Sequence, residues 1–174
     1  MSRRKPGKRF AAGIGLVLVV LLGVYLVTGR EKLASWYERW KLLRDETAWE
    51  TFGGHRYMMT PEPGNWYDAE QYARWLGGHL VKVDDAPEQD WLVETFGRSK
   101  PFWIGCTDRT VEGTWTWSDG QPLSFTNWFP GEPSNGDGWN DVPEHFAVMN
   151  NRNPGKWNDL GESASVSGII ELGD

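Results

Sequence analysis

After Gly97 the sequence loses its helical periodicity, and this change limits the fold more than any other feature. From Phe102 onward, short aromatic runs alternate with turn residues, as they do in strands and loops. Before Gly97, the segment from Trp66 to Leu76 carries apolar residues at helical spacing, and a Gly-Gly pair ends it. A second helix is predicted around Pro87, because proline favours the first turn of a helix. Two helices followed by an irregular β region predict an α+β domain.

An apolar run without charges precedes this domain and extends from Phe10 to Gly29. At about 1.5 Å per residue, such a run crosses a hydrocarbon core of roughly 30 Å. A cleaved secretory signal has a shorter apolar middle and a site of small residues, which this run lacks. We therefore expect residues 10–29 to be an uncleaved transmembrane signal anchor in contact with membrane lipid. The basic residues in positions 1–9 predict a cytoplasmic tail and a C-terminal domain outside the cytoplasm.

Residues 30–51 are predicted to form a neck between the anchor and the domain. An amphipathic helix is expected from Glu31 to about Glu50, because apolar residues recur every three or four positions, at Leu33, Trp36, Tyr37, Trp40 and Leu43. The helix either lays this stripe on the membrane surface or on its own domain, or it associates with other copies into a homo-oligomer. The domain itself is assigned to residues 52–174.

Charge and cysteine content restrict the partners and the core. Five of the 18 Lys and Arg residues and none of the 24 acidic residues precede residue 30, so the outer part has a net charge of −11. Such a surface argues against nucleic acid as a partner. Cys106 is the single cysteine, which excludes an intramolecular disulfide bond. The 12 tryptophans must therefore supply much of the core.

The stretch GEPSNGDGWND, which starts at Gly131, crowds oxygen donors into a segment that Gly and Pro keep from forming a helix or strand. It lies in a long loop from Phe129 to about Glu144, and an Asn158-Asp159 pair follows. Calcium prefers six to eight such oxygen ligands. The three histidines lie far apart in the sequence and offer no comparable zinc set. On composition alone, a solvated polar loop is the other interpretation.

Five motifs in this order resemble the C-type lectin-like domain: WIG at 103–105, WTWSDG at 115–120, NW at 127–128, GEP at 131–133 and WND at 157–159. The resemblance runs from about His55 to Leu172 and includes the helix WYDAEQYARWLGGHLV. It implies a C-type lectin-like fold, which is α+β with two helices, irregular antiparallel sheets and a long calcium and sugar loop.

The resemblance also implies one Ca²⁺ site, with its ligands at Glu132, Ser134, Glu144, Asn158 and Asp159. A glycan would bind at Glu132, Ser134, Asn135, Glu144 and Asn158. Ser134 stands where sugar-binding members have Asn, and Asn135 could take its place. The Glu132–Pro133 bond is expected to be cis, and Glu132 implies a mannose, glucose or fucose type of preference rather than galactose.

A second, auxiliary calcium is implied at Asp108 and Glu112, which follow the WIG motif. Its other ligands would fall near Asn135 and His145, and these are less acidic than in the family. The alternative for Asp108 is a turn-capping residue.

The family usually has two disulfide bonds, whose positions are occupied here by Ala73 with Ile170 and by Phe146 with Glu162. The first pair is expected to be a core contact. The second pair has no apparent compensation in the sequence.

Together these features predict a membrane-anchored, calcium-dependent, carbohydrate-binding lectin of the cell surface. The alternative is a calcium-independent C-type lectin-like domain that binds an extracytoplasmic protein. An enzyme is not expected, because a glycosidase needs an acid and a base across a cleft, whereas these carboxylates cluster as metal ligands would. The helix at 66–76 also resembles formylglycine-generating-enzyme-like domains, but that resemblance ends before the downstream motifs.

Overall fold

A computed structural model of the protein describes residues 31–32, 34–136 and 142–173. The predicted tail and membrane anchor lie outside the described residues, as does part of the long loop. No described helix is both long and apolar enough to cross a membrane.

The chain divides between Arg44 and Asp45 into two units. The first contains the neck helix, defined here as residues 31–32 and 34–44. Within it the Tyr37 and Trp40 rings stack with their centroids 6.1 Å apart, and the Arg44 guanidinium lies 5.1 Å from the centre of the Trp40 ring. The helix ends at residue 44 and not near residue 50 as the sequence pattern indicated.

Two helices of the second unit lie where the sequence predicts them: α1 is Trp66–Leu76 and α2 is Ala86–Phe96. The side chain of Asn65 caps α1 by accepting a hydrogen bond from the backbone N–H of Asp68. Gly77 ends α1 in the left-handed conformation, with φ of 95°, which glycine adopts without steric cost. The side chain of Asp85 caps α2 in the same way as Asn65 caps α1.

The described part of the second unit contains eight strands: β1 Glu50–Phe52, β2 His55–Met59, β3 His79–Leu80, β4 Phe102–Thr107, β5 Thr116–Trp117, β6 Glu144–Met149, β7 Trp157–Gly161 and β8 Ser167–Leu172. Their order is β1-β2-β8-β4-β6-β7, with β3 beside β8 and β5 beside β4. The strand pairs are antiparallel as expected except for β4 and β8, which pair in parallel and make the sheet mixed. Strand β8 lies between β2 and β4, and it runs antiparallel to β2 and parallel to β4.

Tryptophan forms the centre of the core, as composition predicted. Trp103, Trp117 and Trp157 are all buried. The indole N–H of Trp103 donates to the Gly64 carbonyl at 2.9 Å, and that of Trp157 donates to the Gln89 side chain at 2.7 Å. These two bonds offset the free energy that an unsatisfied N–H costs in a dry interior. The indole N–H of Trp117 has no hydrogen-bond partner among the described residues.

The positions of the two missing disulfide bonds are filled by packing. Ala73 and Ile170 are both fully buried. Phe146 stacks on Trp66 with a centroid distance of 5.1 Å and meets the edge of Tyr67, also at 5.1 Å. The compensation that the sequence did not reveal at Phe146 is therefore an aromatic cluster, while Glu162 is exposed.

Candidate metal and carbohydrate site

The implied calcium ligands lie on the long loop and on the two strands that follow it. The start of the loop is fixed to β7, because the Phe129 N–H donates to the Trp157 carbonyl at 2.8 Å and the Trp157 N–H donates to the Asn127 carbonyl at 2.9 Å. Strands β6 and β7 pair antiparallel, with Ala147 opposite Asp159 and Glu144 opposite Gly161. The sheet register thus brings Glu144 and Asp159 to the same end of the ribbon.

Asp159 holds the loop through its buried carboxylate. The side chain accepts hydrogen bonds from the backbone N–H of Ser134 at 3.0 Å and of Asn135 at 2.7 Å. The pKa of Asp159 is raised overall: burial raises it, the two N–H groups lower it, and a side-chain hydrogen bond with the Glu132 carboxyl raises it. Charge-assisted bonds of this kind are stronger than neutral ones, so Asp159 sets the position of residues 134 and 135.

Glu132 brings a second carboxylate against Asp159. The Glu132–Pro133 bond is cis, as the resemblance implied. One carboxylate oxygen of Glu132, Oε2, is buried without a hydrogen-bond partner among the described residues. A buried, unsatisfied anionic oxygen beside another carboxylate is costly, and a divalent cation is the partner that would satisfy both. The donor chemistry therefore fits a calcium ion.

Glu144 and Asn135 connect the loop to β6. Oε2 of Glu144 accepts from the Gly136 N–H at 3.1 Å, and the side-chain oxygen of Asn135 accepts from the Glu144 N–H at 2.9 Å. Asn135 adopts the left-handed conformation, with φ of 53°, which Asn tolerates better than most residues. Asn158 donates its amide N–H to the Asp159 carbonyl at 2.7 Å, which leaves the oxygen of that amide for a cation. The Ser134 residue is exposed at the surface.

The auxiliary positions form a tight cluster. Oδ1 of Asp108 lies 2.9 Å from Nδ1 of His145, and Oε2 of Glu112 lies 3.4 Å from the same nitrogen. Asp108 also accepts the Gly113 N–H at 2.8 Å. Asp108, Glu112 and His145 are the one group of three His, Cys, Asp or Glu donors within 4.8 Å of one another in the part of the chain that the structure describes.

The two sets of donors are therefore arranged differently. The carboxylates of Glu132, Glu144 and Asp159 gather around the backbone of residues 134–136, whereas the auxiliary donors meet at one point. The sequence placed an auxiliary ligand near His145 without identifying the imidazole itself as a donor. The sequence signal that could have identified the His145 imidazole as a donor is the position of His145 directly after Glu144 on β6.

Cys106 is not part of either set of candidate metal ligands. The thiol is buried, and burial raises its pKa well above the ordinary value. A protonated, enclosed thiol is neither a nucleophile nor a metal ligand, as the apolar surroundings in the sequence suggested.

Comparison with known proteins gives a consistent family match. The family model described as the lectin C-type domain matches residues 62–166. The perlucin-like protein of Mytilus galloprovincialis is 32% identical over 128 residues, which cover 71% of this chain and 79% of that protein. CD209 antigen-like protein D of Mus musculus is 33% identical over 151 residues, or 74% of this chain and 64% of that protein. The chain thus spans less than two thirds of the second relative.

Solved structures agree with the family match. The carbohydrate-recognition domain of the mouse scavenger receptor C-type lectin superposes with a TM-score of 0.66 at 29% identity, covering 73% of this chain and 94% of that one. A calcium-independent type II antifreeze protein superposes with a TM-score of 0.62 at 26% identity, covering 72% of this chain and 91% of that one.

Proposed function

We propose that this chain, which belongs to the lectin C-type domain family, binds carbohydrate through a calcium ion held by Glu132, Ser134, Glu144, Asn158 and Asp159. The family consists of binding proteins and not enzymes, and its relatives support a carbohydrate-binding lectin at the level of the family. Calcium dependence and the class of sugar are what we infer for this chain from its own donors.

The observation that carries the proposal is the orphan oxygen of Glu132. Its Oε2 is buried without a partner in the part of the chain that the structure describes, and the carboxyl groups of Glu132 and Asp159 lie within hydrogen-bonding reach of each other. Two carboxylates in a half-buried position repel each other unless a cation lies between them or a proton is shared. A site that presents this arrangement before any ion binds is suited to a divalent cation.

The side chains around the ion would select the sugar. Calcium would coordinate two neighbouring hydroxyl oxygens of a glycan. The carboxylates of Glu132 and Glu144 accept hydrogen bonds from those hydroxyls, and the amide of Asn158 donates one. Ser134 offers a single hydroxyl in place of an amide, so it contributes fewer donors. We infer a mannose, glucose or fucose type of ligand from the Glu132-Pro133 order.

The proposal extends to how the site is presented. An anchor at residues 10–29 would hold the domain outside the membrane, and a neck that joins copies would place several sites side by side. A single open site of this kind binds with a Kd of roughly millimolar, whereas several copies on one membrane raise the avidity by a factor of about 10² or more.

Calorimetry of the full chain tests the proposal. Calcium at a hundred times its Kd stabilises the folded state by about 2.7 kcal/mol, so we expect Tm to rise by roughly 5–10 °C. Adding mannose in calcium should raise Tm further, and galactose should do so less. Glu132→Gln should abolish the calcium response. Glu94→Gln, a matched change on the exposed face of α2, should leave it intact.

The second candidate function is calcium-independent binding of a protein. It is favoured by Ser134 at a ligand position, by the backbone N–H groups that already satisfy much of Asp159 and Glu144, and by the similarity to a calcium-independent antifreeze protein. An unchanged Tm in millimolar calcium would support this candidate and contradict the first. A calcium response without any sugar response would reduce the ion to a structural role.

A further inference from the structure

We propose that Asp108, Glu112 and His145 form a site for a zinc-class divalent cation, and that this site does not select calcium. The three side chains offer one imidazole nitrogen and two carboxylate oxygens, all within 4.8 Å of one another. The inference uses donors other than the five of the proposed calcium site and does not depend on that proposal.

The distances between the donor atoms suit a small tetrahedral ion. Ligands at about 2.0–2.1 Å from zinc in a tetrahedron lie roughly 3.3 Å from one another. Nδ1 of His145 is 2.9 Å from Oδ1 of Asp108 and 3.4 Å from Oε2 of Glu112. These separations bracket the expected edge, so an ion could replace the shared proton with little movement of the side chains.

The type and number of donors argue against calcium. A calcium ion takes six to eight oxygen ligands at about 2.3–2.6 Å, and imidazole nitrogen is a poor ligand for so hard a cation. This cluster supplies two carboxylates and one imidazole. His145 therefore changes the selectivity that an all-oxygen auxiliary site would have.

The site is held by the fold on one side and reached by solvent on the other. Asp108 is buried, its second oxygen accepts the Gly113 N–H at 2.8 Å, and its own N–H donates to the His145 carbonyl at 3.3 Å. Thr107 Oγ1 donates to the same carbonyl at 2.7 Å. Such outer contacts orient metal ligands. Glu112 has 53% of its side chain exposed, which gives an entry path and leaves the fourth coordination position to water.

Cobalt spectroscopy on the full chain without a histidine tag tests the inference. Co²⁺ replaces zinc in tetrahedral sites and then absorbs strongly in the visible range. We expect this spectrum on adding Co²⁺, its loss on adding one equivalent of Zn²⁺, and no change in millimolar Ca²⁺. Displacement by calcium, or the absence of any tetrahedral spectrum, would overturn the proposal and leave a structural ion pair only.

Variants assign the ligands. Loss of an outer-shell partner lowers metal affinity about 10–100-fold, so His145→Ala, which removes a ligand, should lower zinc affinity by at least tenfold. His79→Ala is the matched control, because His79 is equally exposed at 16% of its side chain and also lies near a carboxylate, that of Glu171. Retention of the spectrum in His145→Ala would overturn the proposal.

Two further variants separate folding and the calcium proposal from this inference. Glu112→Gln alters an exposed side chain that the fold does not need, so it should weaken cobalt binding while Tm is unchanged; wild-type cobalt binding in this variant would contradict the assignment. Glu132→Gln should keep the cobalt spectrum even though it removes a proposed calcium ligand. If Glu132→Gln loses that spectrum, the cobalt is bound at the other site and the inference is wrong.

Discussion

The metal-type donors form two clusters: a primary cluster of Glu132, Glu144 and Asp159, and an auxiliary cluster of Asp108, Glu112 and His145. Both clusters use a residue of strand β6, and they differ in charge balance. Glu144 and His145 are neighbours on that strand, and they serve the primary and the auxiliary cluster respectively. In the primary cluster the carboxyl groups of Glu132 and Asp159 lie together, and Oε2 of Glu132 has no hydrogen-bond partner among residues 31–32, 34–136 and 142–173. In the auxiliary cluster an imidazole lies between two carboxylates. We infer from this difference that an outside cation would satisfy the primary cluster, whereas the auxiliary cluster already pairs its carboxylates with an imidazole.

The two clusters also differ in what they hold. Asp159 accepts hydrogen bonds from the backbone N–H groups of Ser134 and Asn135, and Glu144 accepts one from that of Gly136, so these two carboxylates shape a loop. The auxiliary side chains of Asp108 and His145 are positioned by the pairing of β4 with β6, in which Thr107 lies opposite Phe146. A change in the primary cluster should therefore affect ligand binding first, whereas a change at Asp108, the buried member of the auxiliary cluster, should affect the stability of the domain first.

Removing the side chain that anchors strand β6 should weaken both clusters together. Phe146 follows His145 and anchors β6 through its stack on Trp66 and its edge contact with Tyr67. We expect Phe146→Ala to lower the free energy of unfolding by about 3–5 kcal/mol, because a large buried ring leaves a cavity. Urea denaturation measures the loss.

Phe129→Ala is the control for this variant, since Phe129 has 37% of its surface exposed. It should change the free energy of unfolding by less than about 1 kcal/mol. Equal losses in the two variants would contradict the assignment of Phe146 as the anchor of β6. Metal responses at both clusters should weaken together in Phe146→Ala and not in Phe129→Ala.

Neutralising the buried carboxylate of the auxiliary cluster should destabilise the protein without any metal. Asp108→Asn keeps the shape but removes the charge that pairs with His145 at 2.9 Å and that accepts the Gly113 N–H. Hydrogen bonds to charged groups contribute about 1.5–3 kcal/mol, so we expect a loss of this size in urea with a chelator present. A wild-type free energy of unfolding would show that the cluster is not balanced by its own side chains.

Much of this fold could be predicted from the sequence because its signals are local. The helix Trp66–Leu76 has its apolar spacing, its cap and its glycine stop within a dozen residues or so. The buried tryptophans follow from composition, since no disulfide bond is available to the core. The order of the aromatic motifs predicted the C-type lectin fold, which the family match confirms.

The remaining features depend on contacts that are distant in sequence. Strand β1 exists because Glu50–Phe52 pairs with β2, whereas the sequence pattern alone extended the neck helix to about Glu50 and gave no sign of this strand. Phe146 is compensated by Trp66, which lies 80 positions earlier in the numbering. The imidazole of His145 becomes a donor only where β6 meets the turn after β4. The transmembrane anchor, the calcium ion and the sugar preference remain predictions from the sequence.

The smallest expected effect is that of Glu132→Gln on the free energy of unfolding. It tests the comparison most directly, because the sign of the effect should reverse when calcium is added. Without calcium, Glu132→Gln should raise the free energy of unfolding by about 1 kcal/mol, since the new amide can donate a hydrogen bond to Asp159, which Glu132 can do only when one of the two carboxyl groups holds a proton. With calcium, the wild type should become the more stable protein, because the variant has lost a ligand. The matched change Glu112→Gln alters a half-exposed partner of His145 and should stay within about 0.5 kcal/mol of the wild type in both conditions. Urea titrations of the three proteins with and without calcium give all six values, and a destabilised Glu132→Gln in chelator would mean that the primary cluster is not short of positive charge.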